Sequence, residues 1–113
     1  YGTIMEYDLD VKIILLNNNY LGMVRQWQEL FFHERYSETH LKNPDFVKVA
    51  DAYNIRGRKV TQREDLDDAI SEMLNHKGAF LLEVVVETKG MVYPMVPAGG
   101  CVTNILLGNG HTL

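Results

Sequence analysis

The sequence predicts an α/β domain, a three-layer, mostly parallel sheet with flanking helices. Three observations predict it. Short apolar runs alternate with stretches of helical periodicity along the chain. Strands separated by helices need crossover connections, which make neighbouring strands parallel. The first run, Val11-Lys12-Ile13-Ile14-Leu15-Leu16, is nearly continuous in apolar residues, as a strand covered on both faces requires.

Residues 2–7 read as the last turns of a helix, with 8–10 as its connection to the first strand over 11–16. Asn17-Asn18-Asn19 stops that strand with turn formers. Residues 21–32 form a helix in which Met23, Trp27, Leu30 and Phe31 share one face. Residues 32–43 are polar and read as a loop. Asn43-Pro44-Asp45 predicts a helix start with Asn43 as cap, proline at the first position and an acid in the first turn. Phe46, Val49, Ala50 and Tyr53 then give that helix an apolar face. A short strand is expected around Lys59-Val60. Thr61-Gln62-Arg63-Glu64 matches a capping box, ahead of the stripe Leu66, Ala69, Ile70, Met73 and Leu74. Asn75-His76-Lys77-Gly78 ends this helix, and residues 79–87 make the third strand around Val84-Val85-Val86. From Thr88 the chain is loop-like, with a short helix expected over 102–107.

Composition bounds the function. With 113 residues the chain has room for one ordinary domain. Apolar residues at 46% and charged residues at 23% are globular values and exclude a disordered chain. A net charge of −4 lacks the basic stripe that nucleic acid or an anionic membrane would call for. No apolar run approaches the roughly 20 residues of a membrane helix. A single cysteine, Cys101, excludes an internal disulfide.

In open α/β sheets, ligands bind beyond the carboxyl ends of the strands. The first strand ends in Asn17-Asn18-Asn19-Tyr20-Leu21-Gly22, where the next helix begins and its amino-terminal dipole favours an anion. Amide and turn carbonyls are hard oxygen ligands suited to Mg²⁺, which prefers sites shared with substrate phosphates. A diphosphate–Mg²⁺ site is one reading of this segment; three asparagines that simply make a turn are the other. The remaining candidates are weaker. His33 and His40 lie seven apart, His76 and His111 are isolated, and no Cys/His spacing fits a metal. Asp65, Asp67 and Asp68 read as a solvated face at a helix start. Cys101 has no activating partner in sequence. Trp27 is either core or the wall of a ligand pocket, and its helical spacing favours core.

Residues 11–31, from Val11-Lys12-Ile13-Ile14-Leu15-Leu16-Asn17-Asn18-Asn19 through Tyr20-Leu21-Gly22-Met23-Val24-Arg25-Gln26-Trp27-Gln28, resemble the carboxyl-terminal half of the thiamine-diphosphate motif. More narrowly, they resemble the catalytic subunits of the acetolactate synthase (acetohydroxyacid synthase) family. Arg35-Tyr36-Ser37-Glu38-Thr39-His40, Asn43-Pro44-Asp45-Phe46-Val47-Lys48 and Val92-Tyr93-Pro94-Met95-Val96-Pro97 continue the likeness to about Gly100.

The resemblance implies a partial thiamine-diphosphate-binding fold over residues 1–100, with 101–113 as a carboxyl-terminal tail. It implies a transferase of branched-chain amino acid biosynthesis that decarboxylates pyruvate and condenses the hydroxyethyl unit with a second 2-keto acid. The implied cofactors are thiamine diphosphate and Mg²⁺, with FAD held by a different domain. Asn18 matches the side-chain ligand of Mg²⁺, and Tyr20 the position giving it a main-chain oxygen. Leu21, Gly22, Met23 and Val24 match the stretch along the diphosphate and thiazolium. Met23 and Trp27 match the substrate pocket. Leu16 and Asn17 mainly position the turn.

The family's G-D-G aspartate and the glutamate that activates the thiamine ring have no counterpart here, so no catalytic residue is expected within these residues and the chain alone is expected to be inactive. The implied partners are the remainder of the catalytic subunit, further copies in a homo-oligomer, and a regulatory subunit. The implied location is cytoplasmic if the source is bacterial. A related thiamine-diphosphate carboligase or decarboxylase, and a non-catalytic α/β domain, are the alternatives.

Overall fold

A computed structural model describes residues 1–108 and resolves them into two units. The tail residues beyond Gly108, His111 among them, lie outside the described residues. The first unit comprises Tyr1–Asn19 and Lys42–Glu87. It holds helix α1 (Gly2–Glu6), strand β1 (Lys12–Asn17), helix α3 (Phe46–Asp51), strand β2 (Arg56–Val60), helix α4 (Leu66–Asn75) and strand β3 (Phe80–Val85). The three strands pair in the order β1-β3-β2, both pairings parallel, as the alternation of strand and helix predicts.

β3 is paired along both edges, and its side chains alternate between two half-cores, one on each face. Phe80 and Leu82 pack with Val60, Ala69 and Met73 beneath α4. Leu81 packs with Ala50 and Ile55 on the opposite face, flanked by Ile4, Ile13, Leu15 and Phe46. That face carries α1 and α3. Gly57 of β2 faces Val47 of α3 so closely that a Cβ would stand 3.1 Å from Val47 Cγ1 and 3.4 Å from its Cα.

Several boundaries differ from expectation, each for a local reason. β1 runs one residue further, because Asn17 still joins the ladder opposite Val85 and its carbonyl accepts the Val86 N–H at 3.0 Å. β2 starts at Arg56 rather than near Lys59, since pairing with a central strand recruits residues of weak β-propensity. The cap of α3 is Asp45, not Asn43: its Oδ1 accepts the Lys48 N–H at 3.1 Å. The expected capping box at residues 61–64 does not form. A 3₁₀ turn, Arg63–Asp65, leads into α4, and its cap position Gln62 makes no side-chain bond. Lys12 Nζ reaches past the end of α4 to the carbonyl of His76 at 2.8 Å, placing a cation at the negative end of that helix.

The second unit comprises Tyr20–Leu41 and, among the described residues, 88–108. Its one long element is helix α2 (Gly22–Phe31). Instead of the short helix expected over 102–107 there is a single 3₁₀ turn, Val102–Asn104, after which Leu106 forms an antiparallel bridge with Met95. No described helix is long and apolar enough to cross a membrane.

Candidate cofactor site

The three asparagines after β1 occupy unlike positions. Asn17 is buried and fully engaged. Its Nδ2 donates to Glu83 Oε1 at 2.8 Å, while its Oδ1 accepts the Asn19 N–H at 2.9 Å and the Asn43 Nδ2 at 2.9 Å. The Asn19 contact is an Asx turn. Asn19 itself sits in the left-handed region, φ 57°, which asparagine tolerates better than other side chains. Its Oδ1 accepts from the same Asn43 Nδ2 at 3.2 Å. Asn18, between them, is partly exposed at the carboxyl end of the sheet.

Glu83 is the member of this network that no sequence pattern marked. It lies in β3 between Leu15 and Lys59 of the neighbouring strands, 1% exposed. Lys59 Nζ approaches its Oε1 at 3.1 Å, and its Oε2 is buried with no partner among the described residues. Asn43, expected to cap α3, instead braces the turn. The signal that could have found both is the oddity of each in its setting, a carboxylate inside an apolar strand and an asparagine with an equally good cap two residues on.

In the second unit, Tyr20 forms an antiparallel bridge with His40, with ring centroids 5.1 Å apart. Leu21 is the N-cap of α2, and its N–H donates to the Thr39 carbonyl at 2.8 Å. The cap residue Leu21 has no side-chain oxygen to bond the helix start, and no acid occupies the first turn. The leading N–H groups, Gly22 to Val24, lie at the positive end of the helix dipole, which favours an anion.

The apolar stripe of α2 is not core. Met23 is 52% exposed and Trp27 39% exposed, and with Val24 they line an open apolar recess of about 340 Å³. The buried residues of α2 are Arg25 and Gln26. Gln26 clamps the backbone of Val92, accepting its N–H at 2.7 Å and donating to its carbonyl at 2.9 Å. Arg25 holds Glu29 at 2.6 Å, and Tyr36 donates its hydroxyl to the same carboxylate at 2.9 Å. Burial, then that hydrogen bond, raises the Tyr36 phenol above its usual range. Helical spacing marked a stripe correctly and its use wrongly. Trp27 stands edge-on to Phe31, centroids 5.3 Å apart, as the wall of a surface recess.

These residues suit a diphosphate and its metal in donor chemistry. In the second unit the start of α2 offers N–H groups, and in the first the anchored turn offers amide and peptide oxygens of the kind Mg²⁺ takes. The chain belongs to the thiamine pyrophosphate enzymes: residues 1–84 match the family described as thiamine pyrophosphate enzyme, C-terminal TPP binding domain. Within that class it is similar to acetolactate synthases. It is 50% identical over 106 residues to the mitochondrial acetolactate synthase of Schizosaccharomyces pombe, covering 94% of this chain and 16% of that protein. It is 46% identical over 106 residues to the large subunit of acetolactate synthase isozyme 2 of Escherichia coli, covering 93% of this chain and 19% of that one. Among solved structures it is similar to the thiamine diphosphate-dependent 4-hydroxybenzoylformate decarboxylase of Rhodococcus jostii RHA1. The TM-score is 0.69 at 27% identity, covering 79% of this chain and 17% of that one. The chain thus spans less than a fifth of each of these relatives.

Proposed function

We propose that these residues supply one half of the thiamine-diphosphate site of an acetolactate synthase catalytic subunit. The observation that carries this is the likeness to acetolactate synthases of a fungus and a bacterium over nine-tenths of the chain. In this reading the Asn18 side chain and the Tyr20 peptide oxygen are Mg²⁺ ligands. The segment Leu21, Gly22, Met23 and Val24 runs along the diphosphate at the start of α2. A G-D-G aspartate would complete the metal shell, and that motif does not occur in these 113 residues. Thiamine diphosphate supplies the electron sink for decarboxylating a 2-keto acid. The chain's own part is to bind, orient and shield. Met23 and Trp27 present an apolar wall against which a second 2-keto acid is selected. FAD, in the same reading, is held by a domain outside these residues.

The exposed apolar surface supports partners within a larger assembly. Ile14 and Leu16 of β1 are 55% and 67% exposed, and Met23, Val24 and Phe32 are exposed on the second unit. We propose that the rest of the catalytic subunit and a second copy cover these groups, since each unit leaves large apolar side chains open to solvent.

The test is product analysis. The complete protein that carries this chain, given pyruvate, thiamine diphosphate, Mg²⁺ and FAD, should form acetolactate. Release of acetaldehyde without acetolactate would reject the synthase in favour of a decarboxylase, the activity named for the Rhodococcus relative.

A further inference from the structure

Glu83 is costly where it stands. The position is interior to the central strand, and an apolar residue would pack there as Leu81 does two positions earlier on the same face. Its carboxylate does not satisfy itself, since Oε2 has no partner among the described residues. Lys59 is 46% exposed on its side chain and has water as an alternative. The contact that depends on Glu83 is Asn17 Nδ2, at 2.8 Å.

That contact decides which way the Asn17 amide faces. With Nδ2 held by Glu83, Oδ1 points into the turn, where it accepts from Asn19 N–H and from Asn43 Nδ2. A flipped amide would set its NH₂ against those two donors and lose both bonds. The turn that presents Asn18 is therefore fixed from below, by an acceptor far along the chain in the middle of the sheet.

We propose that Glu83 is a positioning residue for the metal-binding turn, acting through Asn17 to hold Asn18 in place for Mg²⁺. The proposal rests on the Mg²⁺–diphosphate reading above. What the position needs is an acceptor; the charge is incidental to it. Glutamine at 83 keeps the acceptor, whereas methionine keeps the volume and removes it.

The experiment is Mg²⁺ titration by calorimetry at fixed thiamine diphosphate, on the complete protein that carries this chain, with a separate melt of each cofactor-free variant. Glu83→Met and Asn17→Ala are each expected to weaken Mg²⁺ by about 10–100-fold, the range for lost supporting contacts around a metal. The double variant should be no weaker than the worse single one, because both break one chain of contacts. Glu83→Gln should stay near the wild type. If Glu83→Met does not fold, Asn17→Ala and Glu83→Gln decide the matter. A folded Asn17→Ala or Glu83→Met with wild-type Mg²⁺ affinity overturns the proposal. So does a Glu83→Gln as weak as the methionine variant, which would make the charge the active feature. A wild-type protein that binds neither Mg²⁺ nor thiamine diphosphate defeats the underlying reading instead, and is distinguishable on that ground.

Discussion

Asn17, Asn18 and Asn19 are chemically identical, and their surroundings give them separate tasks. Asn17 spends both amide atoms on structure, Asn19 takes the left-handed turn, and Asn18 is presented between them. Carboxylates divide in the same way. Asp45 lies below its ordinary range because the Lys48 backbone N–H donates to it, and Glu72 because Arg56 and Arg58 do. A carboxyl depressed in the folded state adds stability above its unfolded pKa, near 4, and loses it as pH falls through the lower folded value. The melting temperature of the chain should therefore fall on acidification below about pH 4, and Glu72→Gln should blunt the fall. Melts in steps from neutral pH to about pH 2 check this, and an acid slope unchanged in Glu72→Gln would contradict it. The asparagine run was legible as a turn. The division of labour was not, because it is imposed by Glu83 and Asn43, which are remote in sequence and adjacent only after the sheet forms.

Elements were legible wherever periodicity and burial agree. α4 appears where the apolar stripe places it, whereas β3 lies within the expected 79–87 but has its buried heart at Phe80–Glu83, with Val84 and Val85 at its end and Val86 beyond it. α2 separates the two signals. Its amphipathic pattern is real, but the side that buries is Arg25 and Gln26, because Gln26 is used to clamp Val92. In the proposed cofactor reading this open apolar stripe has a use as a pocket wall. Helix caps were misread for a simpler reason. Asp45 is an equally good cap to Asn43, and tertiary contact with Asn17 and Asn19 takes Asn43 away. The packing of α3 on β2 rests on the bare backbone of Gly57. Gly57→Val would drive a branched side chain into Val47 and should cost about 1–3 kcal/mol, as overpacking does. Denaturant unfolding of the variant measures it. A stability equal to the wild type would mean that α3 slides away freely and that this contact does not fix its position.

At the scale of the whole molecule, the described residues contain no group of three or more His, Cys, Asp or Glu side chains placed to hold a metal. The oxygen donors at the end of β1 are amide and peptide groups, which bind Mg²⁺ well only alongside phosphate and a carboxylate. Fold and class were readable from the chain alone because the turn-and-helix segment after β1 is local. Its context was not, since Ile14, Leu16, Met23 and Trp27 stand exposed and no local pattern encodes what would cover them. The claim on which the whole reading turns is that Asn18 gives an oxygen to the metal of a bound diphosphate. Calorimetric binding of thiamine diphosphate to the complete protein, with and without Mg²⁺, tests it in wild type and in Asn18→Ala. The wild type should bind in a Mg²⁺-dependent manner, and Asn18→Ala should bind about 10–100-fold more weakly while its cofactor-free form still melts cooperatively. Equal, Mg²⁺-dependent binding by both proteins would make Asn18 a turn residue and contradict the account.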